Sequence, residues 1–133
     1  MQKDFDQWNT KKKQTHAKGK RPFFHIREIW YCKLGVNIGF EQDGAGNDFL
    51  RPVLIFRKFN NEVFWGIPLT RTHKKSPFYF SFTLQTRGVR GEGSVAILSQ
   101  IRIIDASRLS HKIGEIRIVD FAELKKSFTA LLP

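Results

Sequence analysis

Cysteine is nearly absent from this chain of 133 residues, and the single cysteine, Cys32, can form no intrachain disulfide. One cysteine fits a reducing compartment, because disulfides are typical of proteins in oxidising compartments. The thiol lies in a segment of alternating character, in which Trp30, Cys32 and Leu34 would share one face. This pattern favours a buried structural thiol over an exposed nucleophile.

Long apolar runs and cofactor signatures are also missing. No run reaches the roughly 18 residues of a membrane-spanning helix, and the polar N-terminus has no signal-peptide core. The sequence has no His-Glu-x-x-His, no paired cysteines, no phosphate-binding loop ending in Lys-Ser or Lys-Thr, and no Gly-x-Ser-x-Gly turn. We therefore expect a soluble, cytoplasmic, single-domain protein that holds neither a metal nor an organic cofactor.

Acidic residues are scarce: 12 Asp and Glu stand against 23 Lys and Arg, which gives a formal net charge of +11. A field of this sign attracts polyanions, which include nucleic acid, an acidic protein segment and an anionic membrane surface. Charge alone does not choose among these partners.

The first part of the chain is a basic N-terminal arm, residues 1–25. Asp4 is suited to cap a short helix over residues 5–14, in which Phe5 and Trp8 share a face. A run of cations follows, consisting of Lys11, Lys12, Lys13, Lys18, Lys20 and Arg21. Two interpretations stay open, a solvated and partly disordered arm or a contact with nucleic acid.

Five segments are predicted as strands, because they alternate or form short runs rich in β-branched and aromatic residues. They are residues 26–34, 51–56, 62–69, 78–84 and 95–104. Residues 85–94 are predicted as a loop and residues 105–108 as a turn. Asp120 is predicted to cap a C-terminal helix over residues 121–132. Strands without alternating helices predict a small antiparallel sheet or barrel over residues 26–133.

Arg51 stands at the entrance of a short apolar strand, where Pro52 is tolerated because no ladder N–H is needed. Directly before it, residues 39–48 combine three glycines with three carboxylates, which is the composition of a loop. A glycine-rich loop that leads to an arginine suits anion chemistry. The alternative, which local composition favours, is an ordinary surface arginine on an edge strand.

Three segments, taken in order, carry a recognisable pattern. They are residues 30–42 with Trp-Tyr-Cys-Lys-Leu-Gly and Gly-Phe-Glu-Gln, residues 51–56 (Arg-Pro-Val-Leu-Ile-Phe), and residues 95–109 with Gln-Ile-Arg-x-Ile-Asp-x-x-Arg-Leu. Together with Ile-Pro-Leu-Thr at residues 67–70, this set resembles the PemK/MazF family of toxin endoribonucleases. The chain departs from that pattern in its long loop at residues 43–50 and in Phe40, where a small residue is usual.

The resemblance implies an SH3-like barrel that forms a homodimer, cleaves single-stranded RNA or mRNA without a metal, and is neutralised by an antitoxin protein. It also implies a catalytic pair that matches Arg51 and Thr70, with the acidic residue of the family loop matching Glu41.

Cleavage of RNA by its own 2′-OH requires a base, a stabiliser of the transition state and an acid. Arg51 suits charge stabilisation, because its forked donors match phosphate oxygens, and Thr70 can donate one hydrogen bond. The base stays open between Glu41, which the resemblance favours, and His73, which is also consistent with an exposed loop histidine.

Polar and cationic residues on the predicted loops form the expected substrate-binding set. These residues are Gln42, Arg71, His73, Lys74, Arg87 and Arg90. Trp65 is predicted in the core, and residues 100–102 are predicted to support the barrel or the dimer. The same basic surface would also suit an acidic, disordered segment of an antitoxin.

Two further hypotheses belong to other functional classes. The first is a non-enzymatic binder on the same barrel, such as a gyrase-inhibiting toxin or a nucleic-acid module, because one fold hosts several functions. The second is an RNA-binding protein whose affinity comes mainly from the basic N-terminal arm.

Overall fold

The computed structural model describes residues 2–86 and 89–133, without the side chains of residues 89–92. Within these residues, seven strands lie between an N-terminal and a C-terminal helix. The elements are α1 (Phe5–Lys18), β1 (Glu28–Lys33), β2 (Leu50–Lys58), β3 (Val63–Thr70), β4 (Tyr79–Thr86), β5 (Val89–Ile97), β6 (Arg102–Asp105), β7 (Leu109–Glu115) and α2 (Ile118–Thr129). Two short 3-10 turns, Leu98–Gln100 and Ala106–Arg108, flank β6.

The strands form one antiparallel sheet in the order β2-β1-β7-β4-β5-β3-β6. Strand β2 also pairs with β3, with Val53 opposite Pro68 and Lys58 opposite Phe64. The first half of β3 pairs with β6, and its last two residues pair with β5. The sheet therefore curls into a ring, and the predicted mainly β fold with a closing helix is confirmed.

The interior consists of two clusters of buried apolar side chains. One cluster includes Phe24, Trp30 and Cys32, and the other is covered by α2 through Phe121 and Leu124. The expected burial of Cys32 is confirmed, since none of its surface is exposed. Burial raises the pKa of its thiol to about 12, against the smaller opposing influence of nearby cations.

The strand predictions need three corrections. Residues 95–104 are not one strand, because β5 and β6 pair with different halves of β3 and a 3-10 turn joins them. Residues 85–94 are not a loop, since β4 continues to Thr86 and β5 begins at Val89. Residues 109–115 form β7, although their periodicity is weak, because backbone pairing with β1 determines their conformation. The sheet thus has seven described strands rather than five.

The helix predictions are nearly right in position. Asp4 caps α1 as expected, accepting from the Gln7 N–H at 2.9 Å, but the helix runs on to Lys18. The cap of α2 is Arg117, one turn earlier than predicted, and Asp120 lies in the first turn as its ion-pair partner at 3.0 Å. The prediction that Trp65 is a core residue is wrong, because it is 38% exposed while its neighbour Phe64 faces the interior.

Candidate active site

Arg51 lies near the start of β2, opposite Cys32 of β1. Two carbonyl groups hold its guanidinium. The Nη1 group donates to the carbonyl of Leu69 at 3.0 Å, and the Nε group donates to the carbonyl of Asp43. Arginine has further N–H donors, and none of those of Arg51 bonds to a described residue. The Nε and Nη1 groups are therefore held by the protein, and the Nη2 group remains available to bind an anion.

Partial burial shapes the charge of this guanidinium. Burial lowers the pKa of Arg51, and the carboxylate of Asp43 opposes that shift. Arginine keeps its proton even when its pKa falls moderately. Arg51 is thus a permanent cation in a partly desolvated position, where its interaction with a phosphate is stronger than it would be in open water.

Thr70 is the last residue of β3 and lies opposite Val95 of β5. Its Oγ1 accepts from the Thr72 N–H at 3.2 Å. Because a hydroxyl can accept and donate at once, this bond orients the oxygen and leaves its proton available to a ligand. The residue directly before it, Leu69, is the one whose carbonyl holds Arg51.

Arg51 and Thr70 line the same cleft, which has a volume of about 430 Å³. The polar and aromatic lining comes from β1, β2, β3, β5 and the chain after β3, and comprises Tyr31, Arg51, Thr70, Arg71, Thr72 and Ser94. Apolar residues, among them Ile29, Leu69 and Ile113, form the rest of the walls. Among the described lining residues there is no carboxylate and no imidazole.

Glu41 and Gln42 lie in a different cleft, of about 480 Å³, which is lined in part by Gln100 and Arg102. The Glu41 carboxylate accepts from the Ile38 N–H at 2.9 Å. The side chain of Gln100 accepts from the Gln42 N–H at 2.8 Å. These two residues of the expected site therefore line a different cleft from Arg51 and Thr70, and Gln100 holds their loop against the turn after β5. The next residue, Asp43, contacts Arg51 through its carbonyl.

The other expected binding residues lie on the chain after β3 or outside the residues that the structure describes. Arg71 lines the cleft of Arg51. The His73 ring is exposed, with Nδ1 3.4 Å from the Ser81 hydroxyl, and the Lys74 Nζ lies 5.5 Å from the centre of the Tyr79 ring. Arg87 and the side chain of Arg90 lie outside the described residues.

Sequence reasoning missed the residues that orient the candidate catalytic groups. Asp43 acts through its backbone carbonyl, and Gln100 holds the loop through Gln42 N–H and, at 3.2 Å, through the Phe40 carbonyl. A contact with a backbone carbonyl does not depend on the side chain, so no sequence pattern reveals the role of Asp43. Gln100 was expected only to support the barrel or the dimer.

Two kinds of feature are absent from the described residues. No helix within residues 2–86 and 89–133 is both long and apolar enough to span a membrane. The same part of the chain holds no group of three or more His, Cys, Asp or Glu side chains arranged to bind a metal ion.

Comparison with known families decides where this chain belongs. The family model described as PemK-like, MazF-like toxin of type II toxin-antitoxin system matches residues 26–132. The chain belongs to the PemK/MazF toxin family. The match leaves out the first 25 residues, so helix α1 lies outside the part that this family shares.

Solved structures with the same fold include two MazF toxins and a mycobacterial endoribonuclease. The Mycobacterium tuberculosis toxin MazF-mt6 has a TM-score of 0.58 at 17% identity, over 78% of this chain and 94% of that one. MazF from Deinococcus radiodurans has a TM-score of 0.59 at 22% identity, over 84% and 96%. An endoribonuclease from a mycobacterial species, in complex with its cognate antitoxin, has a TM-score of 0.55 at 18% identity, over 84% and 98%. A comparison with curated protein sequences finds no match.

Proposed function

We propose that this PemK/MazF protein is a sequence-specific endoribonuclease toxin that cleaves single-stranded RNA, without a metal, by attack of the 2′-OH. One observation carries the proposal. The half-buried guanidinium of Arg51, fixed by two carbonyls, lines the same cleft as the Thr70 hydroxyl. A permanent cation and a neutral donor in one partly apolar cleft suit a phosphodiester whose negative charge grows during reaction.

The reaction assigns a role to each group. The 2′ oxygen forms a bond to phosphorus, the bond from phosphorus to the 5′ oxygen breaks, and the products are a 2′,3′-cyclic phosphate and a 5′-OH. Arg51 stabilises the two non-bridging oxygens through its unused N–H groups, as a metal ion does in other nucleases. Thr70 donates its hydroxyl proton to one of them in a hydrogen bond.

Proton transfer in this proposal involves water rather than a side chain of the cleft. The 2′ proton leaves to water, and the departing 5′ oxygen takes a proton from water. We make this assignment because the described lining residues include neither a carboxylate nor an imidazole. Glu41, the base that the family resemblance favours, is bound to the Ile38 N–H and lines another cleft.

The RNA strand would follow the cations beside the cleft. Arg71 lines the cleft itself, and His73 and Lys74 follow it on an exposed segment. Tyr31 offers an aromatic face in the cleft, and its ring packs against His111 at 4.9 Å. Stacking of an unpaired base on such a ring favours single strands over duplexes.

Two protein partners belong to the same proposal. Membership of a type II toxin-antitoxin family supports a cognate antitoxin and a homodimer. The net charge of +11 favours an acidic antitoxin segment, because opposite charges speed association. Mixing the toxin with an acidic antitoxin should therefore suppress cleavage, and added salt should slow the encounter.

A second candidate function is a non-enzymatic binder on the same fold. The observation that favours it is the same described lining of the cleft, which lacks a carboxylate or imidazole to move protons. Such a protein would bind RNA or a protein target through Arg51 without cutting RNA.

The deciding experiment incubates the protein with a long single-stranded RNA in EDTA, beside the same sequence as a duplex, and identifies the product ends. Cleavage of the single strand alone, leaving 2′,3′-cyclic phosphate and 5′-OH ends, is the expected result. Bound but intact RNA would exclude the nuclease and leave the binder. Cleavage that EDTA abolishes would contradict the metal-independent chemistry.

A further inference from the structure

The N-terminal arm packs onto the loop that precedes Arg51. Trp8 of α1 is only 6% exposed and packs against Phe49 in a tilted arrangement, with ring centres 5.4 Å apart. Its indole lies directly on Gly35, where an added Cβ would approach the ring to 1.9 Å. Gly35 also has a φ of +74°, so glycine is required there for two reasons. Helix α1 is therefore anchored on both ends of the loop, residues 35–49.

Lys3 reaches the middle of the same loop. Its side chain is only 7% exposed, although it belongs to a residue type that is almost always at the surface. The ammonium group donates to the carbonyls of Asn37 at 2.5 Å and Gly39 at 3.1 Å. It also forms an ion pair with the Asp43 carboxylate at 2.9 Å. Because its ammonium group contacts two carbonyls and one carboxylate, Lys3 is an ordered part of the fold rather than of a solvated arm.

The Lys3 contact continues directly to Arg51. The Asp43 carboxylate accepts from Lys3 and, at 2.6 Å, from the Asn37 N–H, while the carbonyl of the same residue accepts from Arg51 Nε. One residue therefore joins the arm to the guanidinium. Lys11 adds a second ion pair, to Asp48 at 2.9 Å.

The arm contacts a loop that is rich in glycine. Residues 39–48 contain three glycines, and two of them, Gly39 and Gly46, have positive φ with open space around their Cα atoms. Glycine-rich segments sample many conformations when nothing holds them. The loop is held on either side of Asp43 by its own bonds, from the Gly44 N–H to the Gly35 carbonyl at 2.7 Å and from the Asn37 side chain to the Gln42 carbonyl at 2.8 Å. The arm adds an ion pair that reaches the Asp43 side chain itself.

From these contacts we propose that Lys3, acting through Asp43, is a positioning residue for Arg51, and that residues 1–25 serve as a strap over the loop. The inference rests on the nuclease function proposed above. Under this inference, residues 1–25, which lie outside the family match, organise the site instead of attracting RNA.

The kinetic test compares Lys3→Met with Lys12→Met. Each variant removes one positive charge from the arm, but Lys12 is exposed and has no ion pair to a described residue. We expect Lys3→Met to lower kcat by about tenfold or more, since small displacements of a catalytic group are costly, with KM changed less than about twofold. Lys12→Met should leave kcat unaltered. Equal effects of the two variants, confined to KM, would overturn the inference and favour an arm that attracts RNA by charge.

Two further single variants and one double variant separate positioning from loss of folding. Lys3→Arg keeps the positive charge and the N–H donors, so it should retain most of the wild-type kcat. Asp43→Asn keeps the backbone carbonyl and should lower kcat as much as Lys3→Met does, and the double variant should be no worse than either alone, since the two residues act as one unit. Additive losses, or no rescue by Lys3→Arg, would contradict the assignment.

A readout that needs no RNA distinguishes failure of this inference from failure of the proposed function. The Nε–Hε resonance of Arg51, assigned by its loss in Arg51→Lys, should exchange slowly with solvent in the wild type. Lys3→Met should speed that exchange at least about tenfold, while Lys12→Met should not. If the wild type cuts no RNA but this difference holds, the positioning stands and the nuclease fails. If RNA is cut and exchange is unaffected, the positioning fails alone.

Discussion

Arg51 donates through Nη1 to the carbonyl of Leu69 at 3.0 Å, one residue before Thr70. Strand β3 therefore fixes both groups assigned to catalysis, one through its backbone and the other as its own terminal side chain. Because the carbonyl of a paired strand cannot rotate away as a side chain can, the guanidinium is oriented before any substrate binds. Preorganised charge of this kind needs little rearrangement when the transition state forms.

Replacing Thr70 by valine should lower cleavage by about 100-fold, which is the usual cost of removing one donor to a developing oxyanion. The valine retains the shape of the side chain and the pairing of Thr70 with Val95. Thr70→Ser is the matched control, because it retains the hydroxyl, and should stay within a few-fold of the wild type. Single-turnover cleavage rates measure both. A fully active valine variant would remove Thr70 from the mechanism.

The rate should rise with pH without a titration step from a side-chain base. If the 2′-OH loses its proton to bulk solvent in an equilibrium before it attacks, the logarithm of the cleavage rate should increase with a slope of about one between roughly pH 6 and pH 8. Glu41→Gln should reduce the rate less than about tenfold and leave the shape of the profile unchanged. A bell-shaped profile that Glu41→Gln abolishes would assign the base to Glu41 after all.

Acid should weaken the attachment of the N-terminal arm. The Arg21 guanidinium, bound to Asp105 at 2.9 Å, is the main cause that lowers the pKa of that carboxyl to about 2, from 3.8. Because the folded pKa is the lower one, this contribution to stability is complete above about pH 4 and is lost as the pH falls towards 2. Asp105→Asn retains an oxygen that can accept from the Ser107 N–H, but it has no carboxylate to protonate. Its midpoint of thermal unfolding should therefore fall less steeply than that of the wild type over this pH range. Identical curves for the two proteins would contradict this role.

Cys32 should be inert while the protein is folded. The thiolate is the reactive form, and complete burial raises the pKa of this thiol to about 12. A disulfide reagent at about pH 8 should modify the native protein only at the rate of its unfolding, and should react at once in denaturant. Rapid stoichiometric labelling of the folded chain would mean that the strand pair around Cys32 opens locally.

The features that could be predicted are those that depend on a single residue or on a short segment of the chain. The β2 strand follows from a short apolar run, the Asp4 cap from capping preference, and the burial of Cys32 from alternation, and the structure confirms all three. Arg51 and Thr70 came from the family resemblance and share a cleft, although their catalytic role stays a prediction.

The parts that could not be predicted depend on contacts between distant segments. The apolar run at residues 95–104 breaks because its two halves pair with different parts of β3, which no local pattern encodes. Glu41 was expected beside Arg51, but it lines a different cleft, because Gln100, some sixty residues later, binds its loop. Lys3 looked like one cation among many, and only the tertiary fold shows that its ammonium is buried.

The most direct test of the account is the single-turnover rate of RNA cleavage in EDTA for the wild type, Arg51→Ala and Arg51→Lys, with RNA binding and folding measured separately. Arg51→Ala should lose at least about 1,000-fold in rate, the scale at which an arginine stabilises a phosphoryl transition state. Arg51→Lys should lose about 100-fold despite its retained charge, because lysine lacks the fork that the carbonyls of Asp43 and Leu69 orient. Both variants should remain folded and bind RNA. Near wild-type cleavage by folded Arg51→Ala would contradict the central claim.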